Sequence, residues 1–92
     1  THVFGEARQR GRIALVSLFR LADGPSDLDR PAPAHLERIA KVALHELGHL
    51  YGLAHCQHAP CLMYFSGNLE ELDQTAFRLC RYCARYFRDE TT

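Results

Sequence analysis

The sequence predicts an α+β fold in which a short β-hairpin packs on one long helix and is followed by a cysteine-rich loop and a C-terminal helix. Three observations predict it: two short apolar stretches precede residue 22, helical periodicity begins near residue 32, and the chain has only 92 residues. A chain of this length supports a single core. We therefore expect residues 1–92 to form one domain.

The first elements along the chain are predicted to be two strands. Residues 3–7 are partly apolar and residues 8–12 form a polar connection with Gly11, which predicts a strand and a turn. Residues 13–21 form a nearly continuous apolar run, the pattern of a strand covered on both faces. We expect an interior strand there, followed by a loop over residues 23–33, which are rich in Pro and Asp.

A helix is predicted from about Ala32, where apolar residues begin to recur at three- and four-residue intervals. The residues of this amphipathic stripe are Leu36, Ile39, Ala40, Ala43, Leu47 and Leu50. Gly52 is expected to end the helix, because glycine adopts the left-handed conformation without a Cβ clash. Residues 56–68 show no periodicity and predict a loop. Residues 70–88 carry acidic groups early and basic groups late, which predicts a C-terminal helix.

The charge and hydropathy of the chain argue against two classes of partner. Eleven basic and eleven acidic residues cancel, so no net field attracts nucleic acid or an anionic membrane surface. The longest aliphatic run, Ile13–Val16, is far shorter than the roughly 20 residues of a membrane span. We expect no nucleic-acid partner and no membrane association, and the sequence does not predict the oligomeric state.

The strongest functional signal is the segment 45–55, which reads H-E-x-x-H-x-x-G-x-x-H. His45 and His49 are four residues apart on the predicted helix, about 40° around its axis, so their imidazoles face one point. Gly52 then turns the chain and lets His55 approach the same point. Three nitrogen ligands with one open position form the layout of a catalytic zinc site.

Glu46 is the predicted catalytic residue of this segment. It lies beside His45, close enough to the open position to hold a water molecule and remove its proton. An isolated Glu is usually a solvated charge and an isolated His a structural residue, but the combined spacing favours chemistry. The remaining histidines, His2, His35 and His58, lack such spacing and are expected on the surface.

Four cysteines form two close pairs after His55: Cys56 and Cys61, then Cys80 and Cys83. Such pairs match a tetrahedral zinc site with four thiolate ligands. Two disulfides are the alternative in a secreted chain of this length, although a bridge between Cys80 and Cys83 would constrain little. A thioredoxin-type redox role is disfavoured, because that motif follows a strand and starts a helix, whereas this pair falls inside the predicted helix.

The extended histidine motif resembles that of the metzincin zinc peptidases, which also carry a methionine in a tight turn beneath the imidazoles. Met63 is the only methionine here. Its place two residues after Cys61, together with His55-Cys56 and the later C-x-x-C pair, resembles the archaemetzincins specifically. The resemblance extends to residues 3–7 and 16–21, which are similar to the last two strands of the family.

The resemblance implies a metzincin-like zincin fold with two zinc ions. The ligands of the catalytic ion would be His45, His49 and His55, and those of a structural ion Cys56, Cys61, Cys80 and Cys83. Glu46 would be the general base and acid, and Met63 the turn methionine. Because family members are about twice this length, the chain is expected to lack their N-terminal strands and helix.

We therefore predict a zinc-dependent metallopeptidase that hydrolyses peptide bonds by Glu-assisted attack of a zinc-bound water. By resemblance, a peptide substrate would lie extended beside the edge strand near residues 3–5. The protein would be cytoplasmic, which also fits cysteines in the thiolate form. One alternative is a zinc-containing module that binds peptides or proteins without cleaving them. Another is a nucleic-acid-binding zinc knuckle, suggested by Arg78, Arg81, Arg85 and Arg88 but disfavoured by the neutral total charge.

Overall fold

The computed structural model of the protein describes residues 4–8, 12–22 and 32–91. Its elements, in chain order, are the strands β1 (Gly5–Arg8) and β2 (Ile13–Val16) and the helices α1 (Leu18–Leu21), α2 (Pro33–Leu50), α3 (Leu69–Gln74) and α4 (Arg81–Thr91). The predicted α+β class is confirmed. Residues 23–31 of the loop expected over residues 23–33 lie outside the described residues, and Pro33, also expected in that loop, is instead the first residue of α2.

The two strands form an antiparallel hairpin that packs directly on α2. Gly5 is opposite Val16 and Arg8 is opposite Ile13. Gly5 permits a close approach of the hairpin to the helix, since a Cβ atom there would lie 2.5 Å from the Leu15 carbonyl oxygen and 3.0 Å from Cγ1 of Val42. The sequence predicts the first strand over residues 3–7, whereas β1 begins at Gly5 and ends one residue later than predicted, at Arg8. Residue 3 lies outside the described part of the chain.

The prediction of an interior strand over residues 13–21 is wrong in two respects. The strand ends at Val16, where the hydroxyl of Ser17 accepts a hydrogen bond from the backbone amide of Arg20 (3.3 Å) and α1 begins. Only one face of the strand is covered: Ile13 and Leu15 are 53% and 61% exposed. A strand with only one covered face can also be apolar along its whole length. The sequence therefore does not distinguish a strand covered on one face from a strand covered on both.

Helix α2 begins and ends where the sequence predicts. Pro33 occupies its first turn, where a missing amide hydrogen is harmless. At the other end Gly52 has a φ of +94°, and the amide of Leu53 donates to the carbonyl of Gly48 (2.9 Å). The chain therefore turns sharply after the helix, as the spacing of the histidines requires.

The predicted single helix over residues 70–88 is wrong, because α3 ends at Gln74 and α4 begins at Arg81. The backbone of residues 75–80, between the two helices, instead forms hydrogen bonds with the loop that precedes α3. The amide of Ala76 donates to the Pro60 carbonyl (2.7 Å), and the carbonyl of Arg78 accepts from the amide of Leu62 (3.0 Å). The predicted loop over residues 56–68 is confirmed as irregular, apart from one bridge between Cys56 and Tyr64.

Two small clusters of buried apolar residues hold these elements together. The first joins Leu21, Val42 and Leu72 and so ties α1 and α3 to α2. The second consists of Leu53, Cys61 and Met63, with Phe87 of α4 packed against it. No helix among the described residues has both the length and the apolar character needed to cross a membrane.

Candidate metal centre

Three imidazoles meet at the end of α2. The ring centroids of His45 and His49 are 4.7 Å apart, and those of His55 lie 5.2 Å and 4.8 Å from them. One ligand nitrogen from each ring lies within 4.8 Å of the other two. The helix supplies two of these side chains and the turn at Gly52 supplies the third. The structure thus brings together the three histidines that the sequence singles out.

Hydrogen bonds fix the tautomers of the two helical rings. Nδ1 of His45 lies 2.9 Å from the Leu62 carbonyl oxygen, and Nδ1 of His49 lies 2.7 Å from that of Leu53. A carbonyl oxygen only accepts, so both Nδ1 atoms carry the proton. Burial lowers the pKa of His45 to about 4 and also lowers that of His55. His45 is therefore neutral at neutral pH, with a lone pair on Nε2.

The two Nε2 atoms face each other at 3.1 Å. Both Nε2 atoms point into the same gap, so a cation between them would accept a lone pair from each ring. Ligand nitrogens at about 2.0–2.1 Å from a tetrahedral ion would be roughly 3.3 Å apart. The donor set and its spacing therefore fit a zinc ion.

Glu46 shares with His45 a cavity of about 30 Å³, room for roughly one or two water molecules. His45, Phe4, Gly5 and Ser66 are among the residues that line it. Glu46 is only 5% exposed, and its burial raises the pKa of its carboxyl group to about 7. A carboxylate with such a pKa is poised to accept and return a proton near neutral pH.

Met63 lies in a turn and packs against α2 near its C-terminal end, at Gly48. Its side chain is fully buried. A Cβ atom on Gly48 would lie only 2.6 Å from the Met63 sulfur. Sequence reasoning did not single out Gly48, although a glycine between His45 and His49 in a helix is a signal, since glycine weakens helices unless close packing needs it.

The four cysteines form a second cluster behind His55. All are free thiols, and their sulfur atoms lie within 4.8 Å of one another. Sγ of Cys56 is 3.6 Å from Sγ of Cys80, close to the roughly 3.8 Å edge of a zinc–thiolate tetrahedron with bonds of about 2.3 Å. Backbone amides of Met63 and Cys80 donate to Sγ of Cys61 (3.4 and 3.2 Å).

The thiols of this cluster differ in how readily they lose their protons. Burial raises the pKa of Cys56 and Cys83, whereas a hydrogen bond from the backbone of Cys83 lowers the pKa of Cys80 to about 7. Without a metal ion, Cys56 and Cys83 keep their protons at neutral pH. A metal ion that binds all four sulfurs must displace those protons.

The position of Cys80 and Cys83 differs from the one expected. Cys80 precedes α4 and Cys83 lies in its first turn, so the pair starts a helix and does not fall inside one. The described chain places no strand directly before the pair, and two further thiols surround it. The predicted position of the pair inside a helix is therefore wrong, but the missing strand in the described chain and the four-thiol grouping still disfavour a redox motif.

Sequence reasoning missed a set of buried polar residues on α2. Arg38 donates two hydrogen bonds to the Asp73 carboxylate (2.8 and 2.7 Å), and Lys41 donates to the Leu72 carbonyl (3.3 Å). His35, expected on the surface, is buried with Nε2 3.2 Å from the Leu18 carbonyl. His58 is exposed, as expected, and stacks on Tyr82. These contacts join elements far apart in sequence, which local spacing does not reveal.

Comparison with known proteins agrees with this geometry. A sequence profile of peptidase family M54 matches residues 1–89. The archaemetzincin of Methanopyrus kandleri is 46% identical over 81 residues, which cover 88% of this chain and 43% of that protein. The chain spans about half the length of the curated relatives it matches.

Solved structures show the same similarity. The crystal structure of the Methanopyrus kandleri archaemetzincin superposes with a TM-score of 0.81 at 40% identity, covering 97% of this chain and 46% of that one. The zinc-dependent peptidase of Methanocorpusculum labreanum gives a TM-score of 0.81 at 38% identity, covering 92% of this chain and 44% of that one. The fold described above is thus the fold of these proteins over the matched half.

Proposed function

This chain belongs to peptidase family M54, and from that premise we propose that it is a zinc-dependent metallopeptidase that hydrolyses peptide bonds. The observation that carries the proposal is the pair of Nε2 atoms of His45 and His49, which face each other at 3.1 Å with His55 beside them. Such a nitrogen face leaves a position open for water or substrate.

His45, His49 and His55 would hold the catalytic ion. When bound there, zinc supplies a Lewis acid that polarises a carbonyl group and lowers the pKa of water from about 15.7 to near 7. The carbonyls of Leu62 and Leu53 keep the rings of His45 and His49 oriented through their Nδ1 hydrogens. Met63 supports the helix beneath them.

Glu46 would move the protons of the reaction. Its carboxylate accepts a proton from the attacking water and delivers it to the nitrogen of the leaving amine. Two observations support this role: Glu46 shares a cavity with His45, and burial raises its pKa to about 7. The cavity is small enough to confine a water molecule against the carboxyl group.

A second, structural zinc ion would bind Cys56, Cys61, Cys80 and Cys83. Convergence of the four sulfurs supports this proposal. Since Cys56 follows His55 directly, this ion would also hold the third imidazole in place. Thiolate ligands of this kind suit a reducing compartment, so we propose a cytoplasmic location.

The substrate would be a peptide or protein in extended conformation. Within the described residues β1 pairs only with β2, and Phe4 and Gly5, at its start, line the cavity that holds Glu46. A peptide that pairs with this edge would pass its backbone beside the metal centre.

A zinc-containing module that binds peptides without cleaving them is the second candidate. The observation in its favour is that the chain spans about half the length of its relatives, so part of the substrate cleft could come from elsewhere. The nucleic-acid alternative has less support, since the net charge is zero.

Hydrolysis of a peptide library by zinc-loaded protein tests the proposal. We expect Glu46→Gln to keep zinc and to reduce kcat by at least about 10²-fold, because Glu46 handles protons and is not a ligand. Glu70→Gln, an exposed carboxylate on α3, is the matched control and should behave like the wild type. Wild-type protein that binds zinc at the imidazoles without hydrolysis would support the binding module, and loss of zinc in Glu46→Gln would contradict the role of Glu46.

A further inference from the structure

The cavity that Glu46 shares with His45 is small and is lined mainly by buried residues. Its volume is about 30 Å³. Val42 and Leu72 form part of its wall and belong to the first cluster of buried residues, where they are 4% and 6% exposed. Packed interiors yield little to a larger group. The cavity therefore limits the size of any side chain that enters it.

Tyr64 and Thr75 separate this cavity from a second, larger pocket. Both residues line the cavity that holds Glu46, and both also line a pocket of about 320 Å³. The remaining residues of the larger pocket are all exposed: Ala59, Pro60, Glu71 and Gln74. Because Tyr64 and Thr75 belong to both walls, they stand between the two spaces. A smaller side chain in place of Tyr64 would join them.

Ser66 gives the wall of the small cavity a hydroxyl group that is not used elsewhere. Its side chain is 8% exposed, and among the described residues its Oγ atom has no hydrogen-bond partner. Two other polar groups of the wall are already engaged: the hydroxyl of Thr75 donates to the Leu72 carbonyl (2.7 Å), and the ammonium of Lys41 donates to the same carbonyl (3.3 Å). A buried hydroxyl without a partner is costly, so Ser66 favours a ligand that brings a polar atom into the cavity.

The proposed reaction determines which side of a peptide substrate faces this cavity. The carboxylate of Glu46 delivers a proton to the nitrogen of the leaving amine, so the residue that carries this nitrogen lies on the side of Glu46. Phe4 and Gly5, at the start of the strand that would pair with the substrate, line the same cavity. The side chain nearest to Glu46 therefore belongs to the first residue of the released fragment.

We propose that this cavity selects serine as the residue that contributes the leaving amine, with Ser66 as its hydrogen-bond partner and Tyr64 as the limit on its size. The serine side chain has about as many heavy atoms as the one or two water molecules for which the cavity has room. The leucine side chain is roughly twice as large and exceeds this space. Alanine fits, but its methyl group leaves the hydroxyl of Ser66 without a partner.

Hydrolysis of three peptides that differ only at this residue, which is Ser, Ala or Leu, tests the proposal. For the zinc-loaded wild-type protein we expect kcat/KM for the Ser peptide to exceed that for the Ala peptide by about tenfold, because only serine satisfies Ser66. It should exceed that for the Leu peptide by about 10²-fold, because leucine overfills the cavity. Equal values for the three peptides would overturn the proposal.

Substitutions in the wall separate the hydrogen bond from the size limit. Ser66→Ala should lower the ratio of kcat/KM for Ser over Ala to about one. Tyr64→Ala should raise kcat/KM for Leu relative to Ser by at least about tenfold, because the cavity then opens into the larger pocket. Tyr64→Phe, which retains the ring, should keep the wild-type ratios. Tyr82→Ala, at an exposed tyrosine of α4, is the control for both changes.

A Ser66→Ala protein with the wild-type ratio for Ser over Ala would contradict the role of the hydroxyl. A Tyr64→Ala protein that gains nothing on the Leu peptide would contradict the size limit. If Tyr64→Ala does not fold, Tyr64→Leu, which keeps an apolar side chain but removes the ring, takes its place with the same expectation.

The selection of serine rests on the proposed function, and a binding measurement distinguishes failure of the one from failure of the other. If none of the three peptides is hydrolysed, the proposed hydrolysis fails. The cavity is then tested by the affinity of the zinc-loaded protein for the intact peptides in isothermal titration calorimetry. Tighter binding of the Ser peptide, lost in Ser66→Ala, supports the selection. Equal affinities, or no binding, would overturn it.

Discussion

His45 and His49 owe their orientation to residues outside the helix that carries them. The carbonyl that holds His45 belongs to Leu62, in the cysteine-rich loop, and the one that holds His49 belongs to Leu53, just after the helix. A hydrogen bond from the ring nitrogen that does not bind the metal fixes the tautomer and the orientation of a metal-binding histidine. The spacing of the histidines predicts the ligand set, but it gives no information about these two carbonyls.

Gly48 provides a test at the scale of a single residue. In an exposed helix Gly→Ala stabilises by about 1 kcal/mol. We expect Gly48→Ala instead to destabilise by about 1–3 kcal/mol, because the new Cβ would lie 2.6 Å from the Met63 sulfur in a packed site. Urea unfolding measures the effect, and Gly67→Ala, at an exposed glycine, is the control. A Gly48→Ala protein as stable as the wild type would mean that Met63 does not pack tightly beneath the histidines.

At the scale of elements, α3 is held to α2 by the pair of Arg38 and Asp73. Two hydrogen bonds of 2.8 and 2.7 Å join the guanidinium to the carboxylate. The hydrogen bond from Arg38 holds the pKa of Asp73 below its usual value of 3.8. The pair therefore stabilises the fold above the unfolded-state pKa, and this contribution is lost as the pH falls through the folded-state pKa.

We expect Asp73→Asn to lower the free energy of unfolding at pH 7 by about 1 kcal/mol, a modest value because the carboxylate is half exposed and screened by solvent. The difference between wild type and variant should shrink as the pH falls below 4, because Asp73 then becomes protonated. Denaturant unfolding across this pH range measures it. Gln74→Ala on the same helix should change stability by less than about 0.5 kcal/mol. A wild-type advantage that persists unchanged at pH 2 would contradict the ionic role of Asp73.

Helix α4 depends on the thiol cluster, because Cys83 lies in its first turn and Cys80 just before it. We expect Cys80→Ser to remove the thiolate-bound zinc and to keep the imidazole-bound ion. Amide hydrogen exchange over Arg81–Thr91 should then accelerate at least about tenfold, while β1 and β2 change little. Arg85→Ser, an exposed change on the same helix, is the control. Slow exchange in Cys80→Ser would show that α4 does not need the metal.

The elements also show how far the sequence could predict the structure. Both ends of α2, the irregular loop after it and the convergence of three histidines follow from local signals such as the onset of apolar periodicity and Gly52. The break between α3 and α4 does not, since it depends on backbone bonds from residues 75–80 to the earlier loop. The exposure of Leu36 and Leu47 on α2 was also missed, because apolar periodicity identifies a face of a helix without showing what covers that face.

At the scale of the whole molecule, the proposed function rests on two local clusters of side chains and not on net charge. Equal numbers of acidic and basic residues leave no long-range field, whereas three imidazoles and four thiols each converge on a single point. The two clusters are joined by the peptide bond between His55 and Cys56. We therefore expect the metal centres to be mechanically coupled. That residues 1–92 form one domain stays a prediction.

The most direct test of this account is a crystal structure of the zinc-loaded protein with anomalous scattering measured at the zinc edge. We expect two zinc ions per chain. One should lie about 2.0–2.1 Å from Nε2 of His45, Nε2 of His49 and a ring nitrogen of His55, and the other about 2.3 Å from the sulfurs of Cys56, Cys61, Cys80 and Cys83. A single ion, an imidazole turned away from the metal, or a sulfur–sulfur bond among the cysteines would contradict it.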